Sequence, residues 1–297
     1  MGIMNFFKPI LCTLFFLLCV SINACTQNKQ VNTDVSIKIK GSDTIVNLVQ
    51  MWTEQFIEKN PSFNINITGG GSGAGFAALI NKTCDIVMSS RPIADKECKL
   101  AKYNNILPVG FEIGRDGLAV IVNKNNIIDK LTIEEVKDIF TGKISNWKSF
   151  GWEDREIVVL SRESNSGTYT FFKNKIIRHN NKSEDEFSTN VLMMPSSQSV
   201  YNEVCQNPNA IGYVGMGFVN NNVKVISIAT DIHSQYIAPI PLNVMNNKYP
   251  ISRPLYFYID YKRDSAVNKF ISYVLSEVSQ KNIIKAGFIP AKLNIKT

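Results

Sequence analysis

The sequence predicts an α/β fold with two lobes, each a mostly parallel sheet flanked by helices, and a ligand cleft between the lobes. Two observations support this. Short apolar strands alternate with amphipathic helices along the chain, which is the pattern of βαβ units. The residues that follow the predicted signal segment, about 270, are also enough for two domains of ordinary size. In such sheets the ligand lies at the carboxyl ends of the strands.

The first 34 residues predict export. Lys8 precedes an apolar run over 9–20 that is interrupted only by Thr13, and small residues follow it. The run is too short to span a membrane, which takes about 20 residues. The order of charge, apolar core and small residues is that of a secretory signal. We therefore expect a signal peptide over 1–24 and a polar linker over 25–34.

The first strand–helix pair is predicted by periodicity. Residues 35–40 alternate apolar and polar side chains, as a strand does. The following segment, 44–59, places its apolar residues on one helical stripe, and Asn60-Pro61 ends it. The stripe consists of Ile45, Leu48, Val49, Trp52 and Phe56.

The pattern continues through the rest of the chain. Strands are predicted over 63–68, 84–88, 117–123 and 157–160, and helices over 76–81, 133–140, 168–179 and 266–279. Thr132 and Glu135 form a capping box at the start of the helix over 133–140. The run 117–123 is apolar almost throughout, which indicates a strand buried on both faces.

Four Ser/Gly-rich loops each join a strand to a helix, and these loops are the main functional signal. They begin at Gly41, Gly69, Ser89 and Ser161. Each offers backbone N–H groups, a hydroxyl and a helix start, which together suit an anion. Two of the loops also carry an arginine, Arg91 and Arg162. The set indicates a protein that captures a small tetrahedral oxyanion.

Composition excludes several other classes. The formal charge of +7 has no Lys/Arg cluster that would track nucleic acid. Two histidines and no Cys-x-x-Cys motif argue against a metal site or haem. The glycine loop lacks the Gly-Lys-Ser/Thr ending of a P-loop, and no Gly-x-Ser-x-Gly elbow occurs. We therefore expect no enzyme activity and no cofactor. Cys84 and Cys98 are either a disulfide or free thiols, and the sequence does not decide between them.

The motifs, in this order and spacing, resemble the substrate-binding proteins of phosphate ABC transporters (the PstS type), which are two-lobed, class II-like periplasmic binding proteins. The resemblance rests on motifs spread over the chain after residue 35: Gly41-Ser42-Asp43-Thr44, Gly70-Gly71-Ser72-Gly73, Leu131 to Trp147, Arg162 with Ser166-Gly167-Thr168, Ala210 to Val214, and Tyr249-Pro250-Ile251. It implies lobe I over 35–119 and 253–297 and lobe II over 120–252. The chain is expected to cross between the lobes near 117–122 and 251–255.

The resemblance also implies a function. A monomeric, exported protein would capture inorganic phosphate and deliver it to a membrane ABC permease. The segment Ile22-Asn23-Ala24-Cys25 resembles a lipoprotein cleavage box, which implies a lipidated Cys25 and attachment in the periplasm or at the outer face of a bacterial membrane. The alternative is an ordinary signal peptide with an incidental cysteine.

The family's phosphate contacts fall on residues with suitable chemistry. The hydroxyls and main-chain N–H groups would donate to phosphate oxygens, and the planar fork of Arg162 suits two oxygens at once. The expected phosphate-binding residues are Ser42, Asp43, Thr44, Ser72, Ser90, Arg91, Arg162, Ser166, Gly167 and Thr168.

One position departs from the family pattern. Arg91 stands where better-known members carry an aspartate that accepts the hydrogen bond of protonated phosphate. Arg91 is either a ligand contact or part of an ion pair between the lobes. Asp43 is the hypothetical replacement acceptor. The alternatives left open are a receptor for another oxyanion such as sulfate, a phosphate sensor, and a phosphate-ester hydrolase.

Overall fold

The computed structural model describes residues 35–262 and 264–291, so the predicted signal peptide, Cys25 and the linker lie outside the described residues. The strands are Val35–Gly41 (β1), Phe63–Thr68 (β2), Ile86–Ser89 (β3), Pro108–Asn123 (β4), Lys130–Thr132 (β5), Val158–Arg162 (β6), Leu192–Met194 (β7), Ala210–Gly215 (β8), Val223–Val225 (β9), Ser227–Ala229 (β10), Ser252–Asp260 (β11) and Ile289–Pro290 (β12).

The α-helices lie between these strands. They are Val46–Lys59 (α1), Ser72–Ile80 (α2), Asp95–Tyr103 (α3), Ile133–Phe140 (α4), Gly167–Phe172 (α5), Ser197–Gln206 (α6), Pro241–Met245 (α7), Ser265–Val274 (α8) and Glu277–Asn282 (α9).

The large sheet is mixed and has the order β2-β1-β3-β11-β4-β8-β6-β7, with β9 and β12 also paired to β4, while β5 and β10 form a separate two-stranded sheet. Its outer strands pair in parallel, as β1 does with β2 and β3, and as β6 does with β7 and β8. The long central strands β4 and β11 pair antiparallel with each other and with their neighbours. The predicted α/β class is confirmed, and the parallel character belongs to the outer strands.

Strand β4 and the segment that leads into β11 each pass from one hydrophobic core to another. Ile113 of β4 packs in the core that contains Trp52, whereas Leu118 of the same strand packs in the core that contains Trp147. On the other segment the change falls between Ile251, which directly precedes β11, and Leu255 of β11. The residues where the chain passes from one core to the other therefore lie side by side in the sheet.

Several predicted elements appear at the expected places. The strand over 63–68 and the helix over 133–140 have the predicted bounds. Thr132 accepts a hydrogen bond from the Glu135 amide, and the Glu135 carboxylate accepts one from the Thr132 amide, so the capping box is present. Local signals were sufficient for these elements.

The glycine-rich loop is shorter than predicted. Residues 72–75, read from the sequence as loop, form the first turn of α2. Gly75 faces the end of β1, where a Cβ atom would lie 2.7 Å from the Lys40 carbonyl oxygen. The glycine therefore lets the helix pack against the strand, and is not there to make a flexible loop.

Two predicted helices are interrupted. The helix predicted over 168–179 is α-helical only over Gly167–Phe172 and continues as a π-turn over Lys173–Ile177. The helix predicted over 266–279 stops at Val274, and Ser276 caps the new helix α9 through its hydroxyl. None of the described helices is both long and apolar enough to cross a membrane.

Candidate functional site

Five buried hydroxyl groups from three of the four predicted loops and from the start of α5 lie close together. The group, here called the hydroxyl cluster, consists of Ser42, Thr44, Ser72, Ser90 and Thr168, each at most 2% exposed. The Oγ atoms of Ser42 and Ser90 are 3.0 Å apart, and the Oγ1 atoms of Thr44 and Thr168 are 2.8 Å apart. The Ser90 amide donates to Ser72 Oγ at 3.1 Å.

Strand pairing explains how the first and third loops meet. Strands β1 and β3 are parallel neighbours, with Gly41 opposite Met88, so their carboxyl ends lie at the same edge of the sheet. The Ser42 amide continues the pairing by donating to the Met88 carbonyl at 2.7 Å. The first and third loops therefore start side by side.

The fourth loop closes over the second and third. At Gly167 a Cβ atom would lie 2.3 Å from Ser72 Oγ and 2.6 Å from Ser90 Oγ. The Gly73 amide donates to the Asn165 carbonyl at 2.9 Å, and the Asn165 side-chain amide donates to the Gly70 carbonyl at 3.2 Å. Position 167 thus has no room for a side chain.

Ser166 has a local task at the start of α5. Its Oγ accepts hydrogen bonds from the amides of Thr168 and Tyr169, at 3.1 and 3.3 Å. This is the arrangement of a helix N-cap. It orients the helix start so that the hydroxyl of Thr168 faces Thr44.

Arg162 is buried at the end of β6, 1% exposed, and its hydrogen bonds spread over the whole guanidinium. Nη2 donates to Asp43 Oδ2 at 2.7 Å and to the Pro195 carbonyl at 3.0 Å. Nη1 donates to Ser197 Oγ at 2.9 Å, and Nε to the Met194 carbonyl at 3.3 Å. These bonds fix one orientation of the side chain.

Asp43 supports two loops at once. Besides its bond with Arg162, Oδ1 accepts the Gly70 amide at 2.9 Å. One carboxylate therefore connects the first loop to both the second loop and the arginine of the fourth. Since each carboxylate oxygen has a second lone pair, both oxygens can accept one more hydrogen bond.

Arg91 is engaged away from the hydroxyl cluster. Its Nη1 and Nη2 atoms each donate to a carboxylate oxygen of Glu97 at 2.7 Å, and its guanidinium lies over the Phe76 ring. Glu97 also accepts the Ala94 amide at the start of α3. Because this ion pair joins residues only six positions apart, it is not the expected ion pair between the lobes, and the predicted ligand contact of Arg91 stays a prediction.

A second buried arginine, Arg253, borders the cluster and was missed in the sequence. It is 1% exposed and donates through Nε and Nη2 to Asp116 Oδ2, at 3.2 and 2.9 Å. Burial raises the pKa of the Asp116 carboxyl, and the charge of Arg253 opposes that rise. The only local signal, an isolated arginine in an otherwise apolar strand segment, is weak.

A cavity of about 410 Å³ is lined by residues that follow two members of the cluster in the chain, and by none of the cluster residues themselves. Its lining includes Arg91 and Pro92, which directly follow Ser90, and Thr170 and Phe171, which closely follow Thr168. No group of three or more metal-ligating side chains occurs within residues 35–262 and 264–291. The chemistry of the site is therefore that of hydroxyl, amide and guanidinium donors with one supporting carboxylate, which suits an oxyanion.

Comparison with known proteins identifies the family. A family model described as the PBP superfamily domain matches residues 26–278. The phosphate-binding protein PstS of Pseudomonas aeruginosa is 31% identical over 268 residues, covering 84% of this chain and 81% of the relative. That of Staphylococcus aureus is 32% identical over 271 residues, covering 88% and 80%.

The chain belongs to the PstS family of phosphate-binding proteins, within the PBP superfamily. Among solved structures, it is similar to one described as a phosphate ABC transporter substrate-binding protein with bound phosphate, from Clostridium perfringens. That structure is 31% identical, with a TM-score of 0.78 over 86% of this chain and 100% of the other. The predicted two-lobed fold and family resemblance are confirmed. These PstS relatives are binding proteins, not enzymes, in agreement with the prediction of no enzyme activity.

Proposed function

We propose that this protein captures inorganic phosphate in a cleft between two lobes and delivers it to an ABC permease. The observation that carries the proposal is the convergence of buried hydroxyl and amide donors from four loops beside the fixed guanidinium of Arg162. Family membership supports it, since the matched relatives are named as phosphate-binding proteins. A phosphate ion offers the tetrahedral set of acceptors that such donors require.

The geometry supports a different role for each of the proposed ligand contacts. The hydroxyls of Ser42, Thr44, Ser72, Ser90 and Thr168 lie in one region, and each can donate one hydrogen bond. Gly167 contributes its amide and, by lacking a side chain, the space. Ser166 contributes the cap of α5. Asp43 is the proposed acceptor for a proton on the phosphate, and Arg162 supplies the charge.

Arg91 is the predicted contact for which the geometry offers least support. Its terminal nitrogens bond Glu97 and the Pro92 carbonyl, which lie outside the hydroxyl cluster. Arg162 instead bonds Asp43, which stands between the cluster members Ser42 and Thr44 in the chain. We therefore propose that Arg91 braces the third loop against α3, and that Arg162 is the principal cation of the site.

Binding is proposed to favour a closed arrangement of lobes, with lobe I over 35–119 and 253–297 and lobe II over 120–252. The contacts of Gly167 and Asn165 with the second and third loops join residues of the two proposed lobes. A ligand that contacts both lobes stabilises the arrangement in which both are within reach.

The location is proposed from the sequence. Residues 1–24 act as a signal peptide, Cys25 carries lipid, and the linker after it tethers a monomeric binding domain outside the cytoplasm. Mass spectrometry of the chain purified from membranes tests this. A diacylglyceryl mass on Cys25 that is lost in Cys25→Ser is the expected result, and an unmodified Cys25 after cleavage contradicts it.

The decisive experiment is isothermal titration of the anion-free chain from Thr26 onward with phosphate and then sulfate. Tight binding of phosphate without a response to sulfate supports the proposal. Comparable binding of both anions indicates a receptor for oxyanions in general. No measurable binding of either anion overturns the proposal. Turnover of a generic phosphate ester points to a hydrolase, and unchanged phosphate uptake after deletion points to a sensor.

A further inference from the structure

Asp116 and Arg253 form a buried ion pair at the centre of the sheet. They are register partners on the antiparallel strands β4 and β11, at the level where the chain passes from one hydrophobic core to the other. The two side chains are 0% and 1% exposed, and their shortest contact is 2.9 Å. Asp116 Oδ1 also accepts the Met216 amide at 3.1 Å. The carboxylate thus anchors the arginine from one side.

The other side of the Arg253 guanidinium faces the proposed phosphate site. Nη2 lies 3.5 Å from Thr44 Oγ1, and Nη1 lies 3.4 Å from the Ser90 carbonyl oxygen. The Phe171 ring of α5 covers its face, with 5.5 Å between Cζ and the ring centroid. One rigid fork therefore touches the first loop, the third loop and the helix that follows the fourth.

The contact with Thr44 gives the arginine a specific effect on the hydroxyl. A guanidinium has no acceptor, so it can only donate to Thr44 Oγ1 and occupy one lone pair there. The threonine hydroxyl then has to direct its own proton elsewhere, toward Thr168 Oγ1 or toward an anion that takes that place. The Asp116–Arg253 pair is neutral as a whole, so this effect is orientation more than added charge.

We propose that Arg253 is a positioning residue for the bound anion. Anchored by Asp116, it holds the Thr44 hydroxyl and the third-loop backbone in the geometry that donates to phosphate. This inference rests on the proposed function, because it concerns the same site. It assigns a role to a residue on β11, outside all four of the predicted loops.

The requirement for arginine follows from geometry. Bonding Asp116 through Nε and Nη2 while reaching Thr44 and Ser90 takes three nitrogens in one plane. A lysine keeps the charge but offers a single nitrogen, so it cannot reproduce from one position the contacts that Nε, Nη1 and Nη2 make with Asp116, Thr44 and Ser90 together. Arg253→Lys therefore separates orientation from charge.

The test is a double-mutant cycle measured by calorimetric titration of the purified full chain with inorganic phosphate. The variants are Arg253→Lys, Thr44→Val and the two combined. We expect Arg253→Lys to weaken phosphate binding about tenfold in the wild-type background. In the Thr44→Val background it should cost less than about twofold, because the hydroxyl that it positions is gone. Arg155→Lys, in an exposed ion pair with Glu153, is the matched control and should bind normally.

The outcomes are distinguishable. Equal losses of phosphate affinity in the two backgrounds mean that Arg253 supports the fold without acting on Thr44, which overturns the inference. The proposed function is still supported in that case if the wild-type chain binds phosphate. Wild-type chain that ignores phosphate overturns both. Arg253→Lys is replaced if thermal melting without phosphate shows that it does not fold. The double substitution Asp116→Asn with Arg253→Gln then takes its place in the cycle, with the same expected coupling to Thr44.

Discussion

The guanidinium of Arg162 donates to the carboxylate of Asp43 at 2.7 Å, although the two residues are 119 positions apart in the chain. The contact joins the first and fourth loops. A buried arginine at the end of β6 requires a carboxylate, and the neighbouring Glu163 is exposed and does not provide it. The carboxylate that pairs with Arg162 is instead that of Asp43, in the loop that joins the chain's first strand to its first helix.

Asp43→Asn is expected to reduce the preference for phosphate over sulfate by about tenfold. The substitution replaces one of the two acceptor oxygens by an NH2 donor, so the side chain loses an acceptor for the hydrogen bond of protonated phosphate, while the remaining oxygen already accepts the Gly70 amide. Sulfate carries no such proton at neutral pH and should bind as well or better. Titration with both anions measures the ratio. Glu163→Gln, which removes an exposed carboxylate one residue from Arg162, is the control, and an unchanged ratio in Asp43→Asn refutes the assignment.

Gly167→Ala is expected to abolish measurable phosphate binding with little change in melting temperature without ligand. The added Cβ would lie 2.3 Å from Ser72 Oγ, so the fourth loop has to move away from the second and third. Gly151→Ala is a useful comparison, because a Cβ there meets nothing within 4 Å while the backbone φ is +81°. It should destabilise the fold slightly and leave binding intact. Normal binding by Gly167→Ala would contradict the proposed closure.

Arg91→Ala and Arg162→Lys are expected to behave differently. Arg91 is occupied by Glu97, so its loss should change the phosphate dissociation constant by less than about threefold and lower the unfolding free energy by about 1–2 kcal/mol. Arg162→Lys loses the fork that contacts Asp43, Ser197 and Pro195, and should weaken binding about tenfold or more. Titration and urea unfolding of the two variants decide the matter. A large loss of phosphate binding in Arg91→Ala would indicate that Arg91 contacts the anion.

Ser166→Ala tests the capping role separately from ligand contact. Removing the hydroxyl leaves the amides of Thr168 and Tyr169 without their acceptor, which should cost about 1 kcal/mol of stability. Ser166→Asp restores a cap acceptor and should recover stability in urea unfolding. Because a new carboxylate beside the site repels an anion, phosphate binding should weaken in that variant. Recovery of both properties would argue against proximity of Ser166 to the anion.

Cys84 makes the stability of the fold sensitive to alkaline pH. Burial raises the pKa of its thiol from 9.0 to about 12. Below pH 9 the thiol is neutral in both folded and unfolded chains, so its contribution is fully present. Between pH 9 and about 12 only the unfolded chain ionises, and stability falls by about 1.4 kcal/mol per pH unit. Urea unfolding of wild type and Cys84→Ala at pH 8 and pH 10 measures this, and parallel losses in both would exclude Cys84 as a source.

Much of the fold could be predicted because its signals are local. Alternation fixed the bounds of β2, and a capping box fixed those of α4. The first turn of α2 was assigned to a loop because glycine disfavours helix, whereas its contact with β1 requires glycine at position 75. Tertiary packing overrode the local preference there.

The site residues that could be predicted from the sequence are those in loops that follow predicted strands. Ser42, Thr44, Ser72, Ser90 and Thr168 follow strands, and strand order brings such loop residues together. The partner of Arg91 depended on the side-chain direction of Glu97, which sequence does not give. Arg253 depended on a partner 137 residues away, and only the pairing of β4 with β11 puts the two side by side.

The burial of the hydroxyl cluster has a kinetic consequence. With every member at most 2% exposed, an anion held among them has no path to water until the loops separate. Its dissociation rate therefore cannot exceed the rate of that separation, however weak the individual hydrogen bonds are. Exchange against a labelled pool should be independent of the concentration of free anion. A partner that receives the anion therefore speeds its release by accelerating the separation of the loops. The partner's own affinity for the anion does not change that rate.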